Sequence, residues 1–165
     1  MALRMTPRLF RHLLNWWPPY RGAGIRVAAI SPDWHHVRVE LRARLRNRNP
    51  FGSHFGGNLY SMADPFYVLM LQRVLGRDYL IWDQAAEIEF LKPARGTVTA
   101  EFHLDPHQVE RLRREAADGS KLLPEYHVEI RDSGGETVAR VRKRLYVRLK
   151  KRARPASAPA PAMEE

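Results

Sequence analysis

The chain has 165 residues, a net charge of +10 and no cysteine. The absence of cysteine excludes disulfides, thiolate catalysis and cysteine-ligated metals. No apolar run approaches the ~20 residues that a membrane-spanning helix needs, and the first residues lack a signal-peptide core. We therefore expect one soluble, cytoplasmic domain, and the charge calls for an anionic partner such as nucleic acid, acidic lipid or a phosphorylated cofactor.

The N-terminal third of the chain predicts a helix followed by two strands. Residues 3–17 form a short basic amphipathic helix in this interpretation, which Pro18 and Pro19 end because proline cannot continue a helix. Residues 25–30 predict a first strand. A second strand follows with a period-two pattern, whose inward set is Val37, Val39, Leu41, Ala43 and Leu45.

The remainder predicts one long buried helix and four mainly antiparallel strands. The helix covers residues 56–75 and ends at Gly76, and the strands cover 79–90, 97–104, 126–132 and 137–149. A charged surface helix is expected at 106–117. One helix wrapped by a curved antiparallel sheet is an α+β arrangement. Residues 1–20 thus form an N-terminal helix, 21–150 the main domain, and 151–165 a disordered basic and Pro/Ala-rich tail.

The most informative segment is the glycine pair Gly56-Gly57 at the start of the central helix, seven residues before Asp64. Unpaired N–H groups at a helix N-terminus can stabilise a negatively charged group, and glycine allows close approach. Asp64 lies among apolar residues, where a carboxylate must be solvated locally, paired or used in chemistry. Backbone donors and a carboxylate two turns apart can together form a hydrolytic site.

Three segments carry a resemblance to a known family, and they read FGGNLYSMADP at 55–65, IEFLKP at 88–93 and LYV at 145–147. They resemble the hotdog-fold acyl-CoA thioesterases, and among these the phenylacetate-pathway branch with its His-Gly-Gly…Asp signature. More narrowly, they are similar to a poorly characterised bacterial family whose members are often labelled tetrameric acyl-CoA thioesterases. The resemblance covers roughly residues 8–150 and implies a hotdog fold, a curved antiparallel sheet around one long helix.

The resemblance also implies roles for the motif residues. Asp64 corresponds to the catalytic carboxylate, which acts on water as a general base or serves as a nucleophile, and the Gly57 amide would polarise the thioester carbonyl. Subunits of the family pair as dimers with sites between the central helices, so Asp64 can serve the partner's site. Two departures stand out: Phe55 replaces the motif histidine, with His54 one position early, and Pro65 follows Asp64 and can kink the helix.

The remaining site residues are predicted from position and chemistry. Asn58 and Ser61 lie near Asp64 and can orient a water, or bond the local backbone instead. His54, Phe55 and Gly56 are assigned to substrate binding. Sheet alternation allows only one of Asp83 and Gln84 to face inward. Coenzyme A enters only as part of the substrate, and its phosphates are assigned to two basic residues of the turn after the third strand, Lys92 and Arg95.

Two features are expected to play no part in the reaction. The seven histidines show no ligand constellation, and His35 and His36 are adjacent and so point to opposite strand faces, so no metal is predicted. The strand at 137–149 has apolar residues at odd positions and mostly basic ones at even positions. That basic face is interpreted as solvated or as part of a subunit interface, with phosphate binding as the alternative.

The overall prediction is an acyl-CoA thioester hydrolase acting on fatty acyl groups, dimeric or tetrameric, with Asp64 activating water. The leading alternative is a non-catalytic hotdog protein that binds acyl-CoA or another lipid, since loss of the motif histidine fits that change. A third hypothesis is a basic protein that binds nucleic acid or a membrane surface, for which the N-terminal helix offers an apolar face. No interleaved aromatic platform supports nucleic acid, and membrane contact is not the favoured use of that helix.

Overall fold

A computed structural model describes residues 5–153 of the chain. In order, the helices and strands are α1 (Pro7–Trp16), α2 (Pro18–Ala23), β1 (Ile25–Ile30), β2 (His36–Arg42), α3 (Gly56–Ala63), α4 (Phe66–Leu75), β3 (Tyr79–Phe90), β4 (Thr97–His103), α5 (Pro106–Glu115), β5 (Glu125–Arg131) and β6 (Thr137–Leu149). One-turn 3₁₀ helices lie at Leu45–Asn47 and Lys151–Ala153. The rest of the predicted tail, residues 154–165, lies outside the described residues.

The strands form one six-stranded sheet in the order β1-β2-β4-β5-β6-β3, and every pairing is antiparallel. The α+β prediction is therefore confirmed, and the bounds of β3 and β6 coincide with those read from the sequence. Alternate residues of β2, β4 and β5 are buried, so one face of these strands packs on the core and the other faces solvent.

The central helix lies against the inner face of the sheet, but it is two helices rather than one. Pro65 has no N–H to bond the Ser61 carbonyl, and α3 ends at Ala63 before α4 begins at Phe66. The side chains of Met62 and Phe66 are fully buried on either side of the break, and Phe66 packs on Phe102 of β4 with ring centroids 4.9 Å apart. The predicted helix over 56–75 begins and ends at the expected residues, and it is interrupted at Pro65, where a kink was anticipated.

The prolines near the N-terminus begin a helix instead of only ending one. Pro18 occupies the first turn of α2, where a missing N–H is not needed. Helix α1 packs on β1, because the Asn15 side chain accepts from the Val27 N–H at 2.7 Å and donates to its carbonyl at 3.0 Å. Helix α2 buries Tyr20 in the core, which the predicted stop at Pro18-Pro19 did not anticipate.

Strand β2 ends at Arg42, earlier than the alternation predicted, and Leu45 is 93% exposed rather than inward. The cause is Asn47, a buried side chain that donates to the carbonyls of Arg42 at 2.8 Å and Ala23 at 2.7 Å. It also accepts from the Arg44 N–H at 2.6 Å. These bonds turn the chain out of the sheet and tie it to the end of α2.

Strand β3 forms one edge of the sheet, and most of its residues are exposed, including Trp82 and Phe90. A bulge between Asp83 and Ala85 leaves Gln84 outside the register with β6. Long unprotected edges are ready templates for pairing with another strand. No helix within residues 5–153 is long and apolar enough to cross a membrane.

Candidate functional site

Asp64 lies at the junction of α3 and α4, at the wall of a surface cleft of about 330 Å³, the Asp64 cleft. Its side chain is 46% exposed, so the apolar neighbours in sequence do not enclose it. The break at Pro65 places the carboxylate at the mouth of the cleft instead of in the core. The cleft is lined by Trp17, Pro19, Tyr20, Ala23, Asn58, Tyr60, Ser61, Asp64 and Pro65.

A buried lysine holds Asp64 in place. Lys143 of β6 is fully buried, and its Nζ lies 3.0 Å from Asp64 Oδ1 and 2.9 Å from Asp83 Oδ2. It also donates to the Asp64 main-chain carbonyl at 2.7 Å. The Tyr60 hydroxyl lies further away, 3.5 Å from the same nitrogen, so the three donors of the ammonium are directed mainly at Asp64 and Asp83. One cation therefore fixes both the side chain and the backbone of Asp64.

The electrostatics of this cluster keep the lysine charged. Burial by itself lowers the pKa of Lys143, but its hydrogen bonds to Asp83 and Asp64 outweigh that effect and raise it. Burial raises the pKa of Asp83, and its contact with Lys143 opposes the rise. Since the pKa of Lys143 is raised on folding, its stabilisation is complete below the unfolded value of about 10.4 and is lost as the pH rises through the higher pKa of the folded state.

Two tyrosines complete the cleft around Asp64. Burial raises the pKa of Tyr60, as does its hydrogen bond with Asp64, and the Lys143 Nζ lies 5.3 Å from the centroid of its ring. Burial, followed by the charge of Asp64, raises the pKa of Tyr20, so its phenol stays protonated. The Tyr20 hydroxyl is buried and has no hydrogen-bond partner among the described residues. Tyr20 therefore lines the cleft that contains Asp64 and has a donor that no described residue uses.

Asn58 and Ser61 both line the Asp64 cleft. The Ser61 hydroxyl donates to the Gly57 carbonyl at 2.8 Å. Of the two roles considered for Ser61, orienting a water or bonding the local backbone, the structure has the second. The Asn58 amide makes a long contact of 3.5 Å with the Asn47 carbonyl. Of these two side chains, Asn58 is the freer to contact a ligand.

The predicted substrate-binding residues His54 and Gly56 line a different cleft, together with Lys92 and Phe90. The His54 ring is buried and its Nε2 lies 2.8 Å from the Gly96 carbonyl. Burial lowers the pKa of His54, although the bond to Gly96 opposes this. This histidine is neutral at physiological pH and ties its loop to the start of β4.

Gly57 is placed at the surface between the two clefts. A Cβ added to it would lie 2.4 Å from Cε1 of Phe55, so the exposed Phe55 ring covers the glycine. Gly56 is similarly close to the ring of Phe90. The glycine pair therefore permits two aromatic rings to lie over the first turn of α3, and neither glycine lines the Asp64 cleft.

The two basic residues predicted for phosphates differ in their surroundings. Lys92 pairs with Asp132 at 2.9 Å and with Glu136, so its charge is already matched. Arg95 is exposed. A separate cleft of about 280 Å³, the arginine cleft, lies on the other side of α2 and shows a much higher density of positive charge. Its walls include Arg21, Arg26, Arg42, Arg44 and Arg46.

Asp83 faces inward and Gln84 is exposed, as the alternation required of one of the pair. Lys143 and Tyr20 were missed by the sequence reasoning. The signal for Lys143 was present, because it occupies an odd position of β6, between the inward residues Val141 and Leu145.

Within residues 5–153 one cluster of side chains has the chemistry of metal ligands, namely His36, Glu101 and His103. None of these residues lines the Asp64 cleft.

Solved structures share this fold. A Pseudomonas aeruginosa protein of unknown function, called a probable thioesterase, matches with TM-score 0.75 and 24% identity over 88% of this chain and 99% of its own. A Haemophilus influenzae thioesterase matches with TM-score 0.63 and 18% identity over 86% and 90%. The Escherichia coli PaaI protein of the phenylacetic acid degradation operon matches with TM-score 0.56 and 20% identity over 82% and 87%.

These matches and the topology define a hotdog-fold protein, as the motif segments led us to expect. The chain belongs to the family described as domain of unknown function DUF4442, whose model matches residues 6–147. No curated protein matches the sequence.

Replacing Lys143 by methionine tests the role of the buried cation. The variant keeps the length of the side chain but leaves Asp83 and Asp64 without their shared partner, and we expect a loss of about 3 kcal/mol in the free energy of unfolding. The matched control is Arg144→Met, one residue along, whose exposed side chain pairs with Glu125 and should cost less than about 1 kcal/mol. Urea unfolding measures both, and equal stability of the two variants would contradict the assignment.

Proposed function

We propose that this protein hydrolyses fatty acyl-CoA thioesters and that Asp64 is the general base. The observation that carries the proposal is the Lys143–Asp64 contact at 3.0 Å, which holds a half-exposed carboxylate at the wall of an open cleft. A positioned carboxylate within reach of water is the requirement for general-base catalysis. The fold shared with thioesterases supports the same reaction class, and the activity itself is tested below.

The reaction follows from that geometry. Asp64 accepts a proton from a water in the cleft, and the water oxygen attacks the thioester carbon as the carbonyl π electrons move to oxygen. Collapse of the tetrahedral intermediate breaks the C–S bond, and the thiolate receives the proton held by Asp64. The products are a carboxylic acid and the free thiol of coenzyme A. Lys143 holds Asp64 in the same position throughout the reaction, because its hydrogen bond to the Asp64 main-chain carbonyl does not depend on the charge of the side chain.

The negative charge on the carbonyl oxygen requires hydrogen-bond donors. Gly57 of the same chain is seven residues from Asp64, about 10 Å along a helix axis, which is too far for both to act on one carbonyl group. Tyr20 lines the Asp64 cleft, and its buried hydroxyl makes no hydrogen bond within residues 5–153. In this proposal the hydroxyl turns toward the bound carbonyl oxygen and serves as one donor. Gly57 of the partner subunit supplies the second donor in this proposal.

Self-association follows from the edge of the sheet. Strand β3 has 12 residues and exposed apolar side chains such as Trp82 and Phe90, and no strand within residues 5–153 pairs with its outer edge. Pairing of β3 with β3 of a second subunit would satisfy the free backbone groups and cover these side chains. A dimer is therefore proposed as the active form, and pairing of dimers into tetramers remains a further step.

The surroundings of the Asp64 cleft fit the two ends of a fatty acyl-CoA. On one side an apolar groove of about 450 Å³ shares Trp17 and Pro65 with the cleft and continues along α1 through Leu13 and Phe10. On the other side of α2 lies the arginine cleft. The groove suits an alkyl chain, and guanidinium groups suit phosphates. In the arginine cleft Glu40 lies 2.9 Å from Arg42 and 3.9 Å from Arg26, so one acid faces five arginines, whereas Lys92 alone faces two acids. The arginine cleft therefore replaces Lys92 as the proposed phosphate site.

A non-catalytic acyl-CoA carrier is the second candidate, because one observation favours it. Phe55 replaces the histidine of the motif and its ring covers Gly57. Such a protein would bind acyl-CoA through the same groove and arginines without turnover, and Asp64 would serve only to fix the helix junction through Lys143.

Asp64→Asn is the first test of the hydrolase. Asparagine keeps the shape of the side chain but is not a base, so kcat for acyl-CoA hydrolysis should fall by at least about 100-fold while the chain remains folded. Free-thiol release from acyl-CoAs of graded chain length measures the rate, and Glu115→Gln on the exposed face of α5 is the control. An unchanged rate would exclude Asp64 as the base, and tight binding without turnover by the wild type would favour the carrier.

Tyr20→Phe tests the local donor. Because the hydroxyl makes no hydrogen bond within residues 5–153, its removal should leave stability unchanged and lower kcat by about 100-fold with little change in KM. Tyr126→Phe is a closely matched control, since the Tyr126 hydroxyl is also buried and unpartnered but lies outside the Asp64 cleft. Equal rates for the two variants would remove Tyr20 from the reaction.

Mixed dimers test the contribution of the second subunit. Asp64→Asn and Gly57→Pro should each be inactive, the second because proline lacks the N–H yet is tolerated in the first helical turn once the exposed Phe55 ring moves aside. In a refolded equal mixture half the dimers carry both variants and one intact site each, so activity should return to about a quarter of wild type. Heterodimers seen by native mass spectrometry without activity would contradict the shared site.

A further inference from the structure

We propose that His36, Glu101 and His103 bind one divalent ion of the Zn²⁺ type on the outer face of the sheet. The site is separate from the Asp64 cleft and does not depend on the proposed hydrolysis. Each of the three residues offers a ligand atom that zinc accepts, imidazole nitrogen from two and carboxylate oxygen from one.

The strand register brings these side chains together. His36 at the start of β2 is directly opposite His103 at the end of β4, and Glu101 precedes His103 by two residues. The buried neighbours Val37 and Phe102 face the core, so all three polar side chains lie on the opposite face. The two imidazole rings stack with centroids 4.5 Å apart.

The distances between the ligand atoms fit a metal. Glu101 Oε2 lies 3.5 Å from His36 Nε2 and 3.7 Å from His103 Nε2, and all three atoms lie within 4.8 Å of one another. Two ligands of a tetrahedral zinc with bonds near 2.1 Å are about 3.4 Å apart. Side-chain rotation of the exposed His103 suffices to bring its nitrogen into this range.

The surroundings of the His36 ring also fit a bound ion, since its Nε2 has only the 3.5 Å contact with Glu101 Oε2. Its Nε2 is shielded from solvent and makes no hydrogen bond with any described residue, although a buried ring nitrogen normally has a partner. Arg38 approaches the other carboxylate oxygen of Glu101, Oε1, at 3.9 Å, which leaves Oε2 to the two histidines. An ion bound by these atoms would satisfy the His36 nitrogen.

The predicted chemistry is a three-ligand site with a fourth position open to water. The ion would join the start of β2 to the end of β4, two strands that already pair. Since the ligands converge only in the folded chain, binding should stabilise the fold by mass action. The chain contains no cysteine, so no thiolate competes for the ion.

Isothermal titration of the full chain, prepared without a polyhistidine tag, with ZnCl₂ tests the site. We expect one ion per chain and a rise in Tm on addition of zinc. His103→Ala should weaken binding by at least about 10-fold and abolish the rise, and because this side chain is 68% exposed the variant should fold. The control is His107→Ala, which removes an exposed imidazole of α5 outside the cluster.

Glu101→Gln provides a second variant that keeps both histidines, and it should also weaken zinc binding. The proposal is overturned if the wild type shows no stoichiometric binding at micromolar zinc. It is equally overturned if His103→Ala and His107→Ala reduce the affinity by the same factor, since that result indicates scattered binding to surface histidines.

Discussion

The rest of the structure depends on one buried ammonium group, that of Lys143, which lies between the carboxylates of Asp64 and Asp83. A lone charge at the position of Lys143 would be strongly destabilising, and without the lysine the partly buried Asp83 would lose the partner that compensates its burial. The lysine joins β6 and β3 to the junction of α3 and α4, where Pro65 has removed a helical hydrogen bond. The same contacts that stabilise the fold therefore also fix the carboxylate at the wall of the cleft.

The strands could be predicted because the local pattern of apolar, polar and turn residues sets their limits, as the bounds of β3 and β6 show. The hotdog fold itself was expected only from the resemblance carried by the motif segments. The candidate site could be predicted only in part. Asp64 was identified, but Lys143 was overlooked because it is one basic residue in a basic strand, and only its odd position marks it as inward. Tyr20 was missed because Pro18-Pro19 was interpreted as a helix stop. His36 and His103 are 67 residues apart in sequence and lie opposite each other only because β2 pairs with β4 in one particular register. That register could not be predicted from the sequence pattern.

The proposed function relies on three neighbouring surfaces of the protein, each of which would contact a different part of the substrate. The apolar groove along α1, the Asp64 cleft and the arginine cleft follow one another around α2. Asn47 holds the end of α2 to β2 and the following loop, and so positions Tyr20 relative to Asp64. In the proposed function, part of the positive charge of the chain has a defined role, because the arginine cleft is the proposed binding site for the phosphates of acyl-CoA.

The most direct test of the central claim is a crystal structure with an acyl-CoA analogue in which a methylene group replaces the thioester sulfur. Our account predicts the ketone oxygen within hydrogen-bond distance of the Tyr20 hydroxyl, a water bound to the Asp64 carboxylate, and the alkyl chain beside Trp17. An analogue bound in the cleft of His54 and Phe90 instead, with its carbonyl remote from Asp64, would contradict that account.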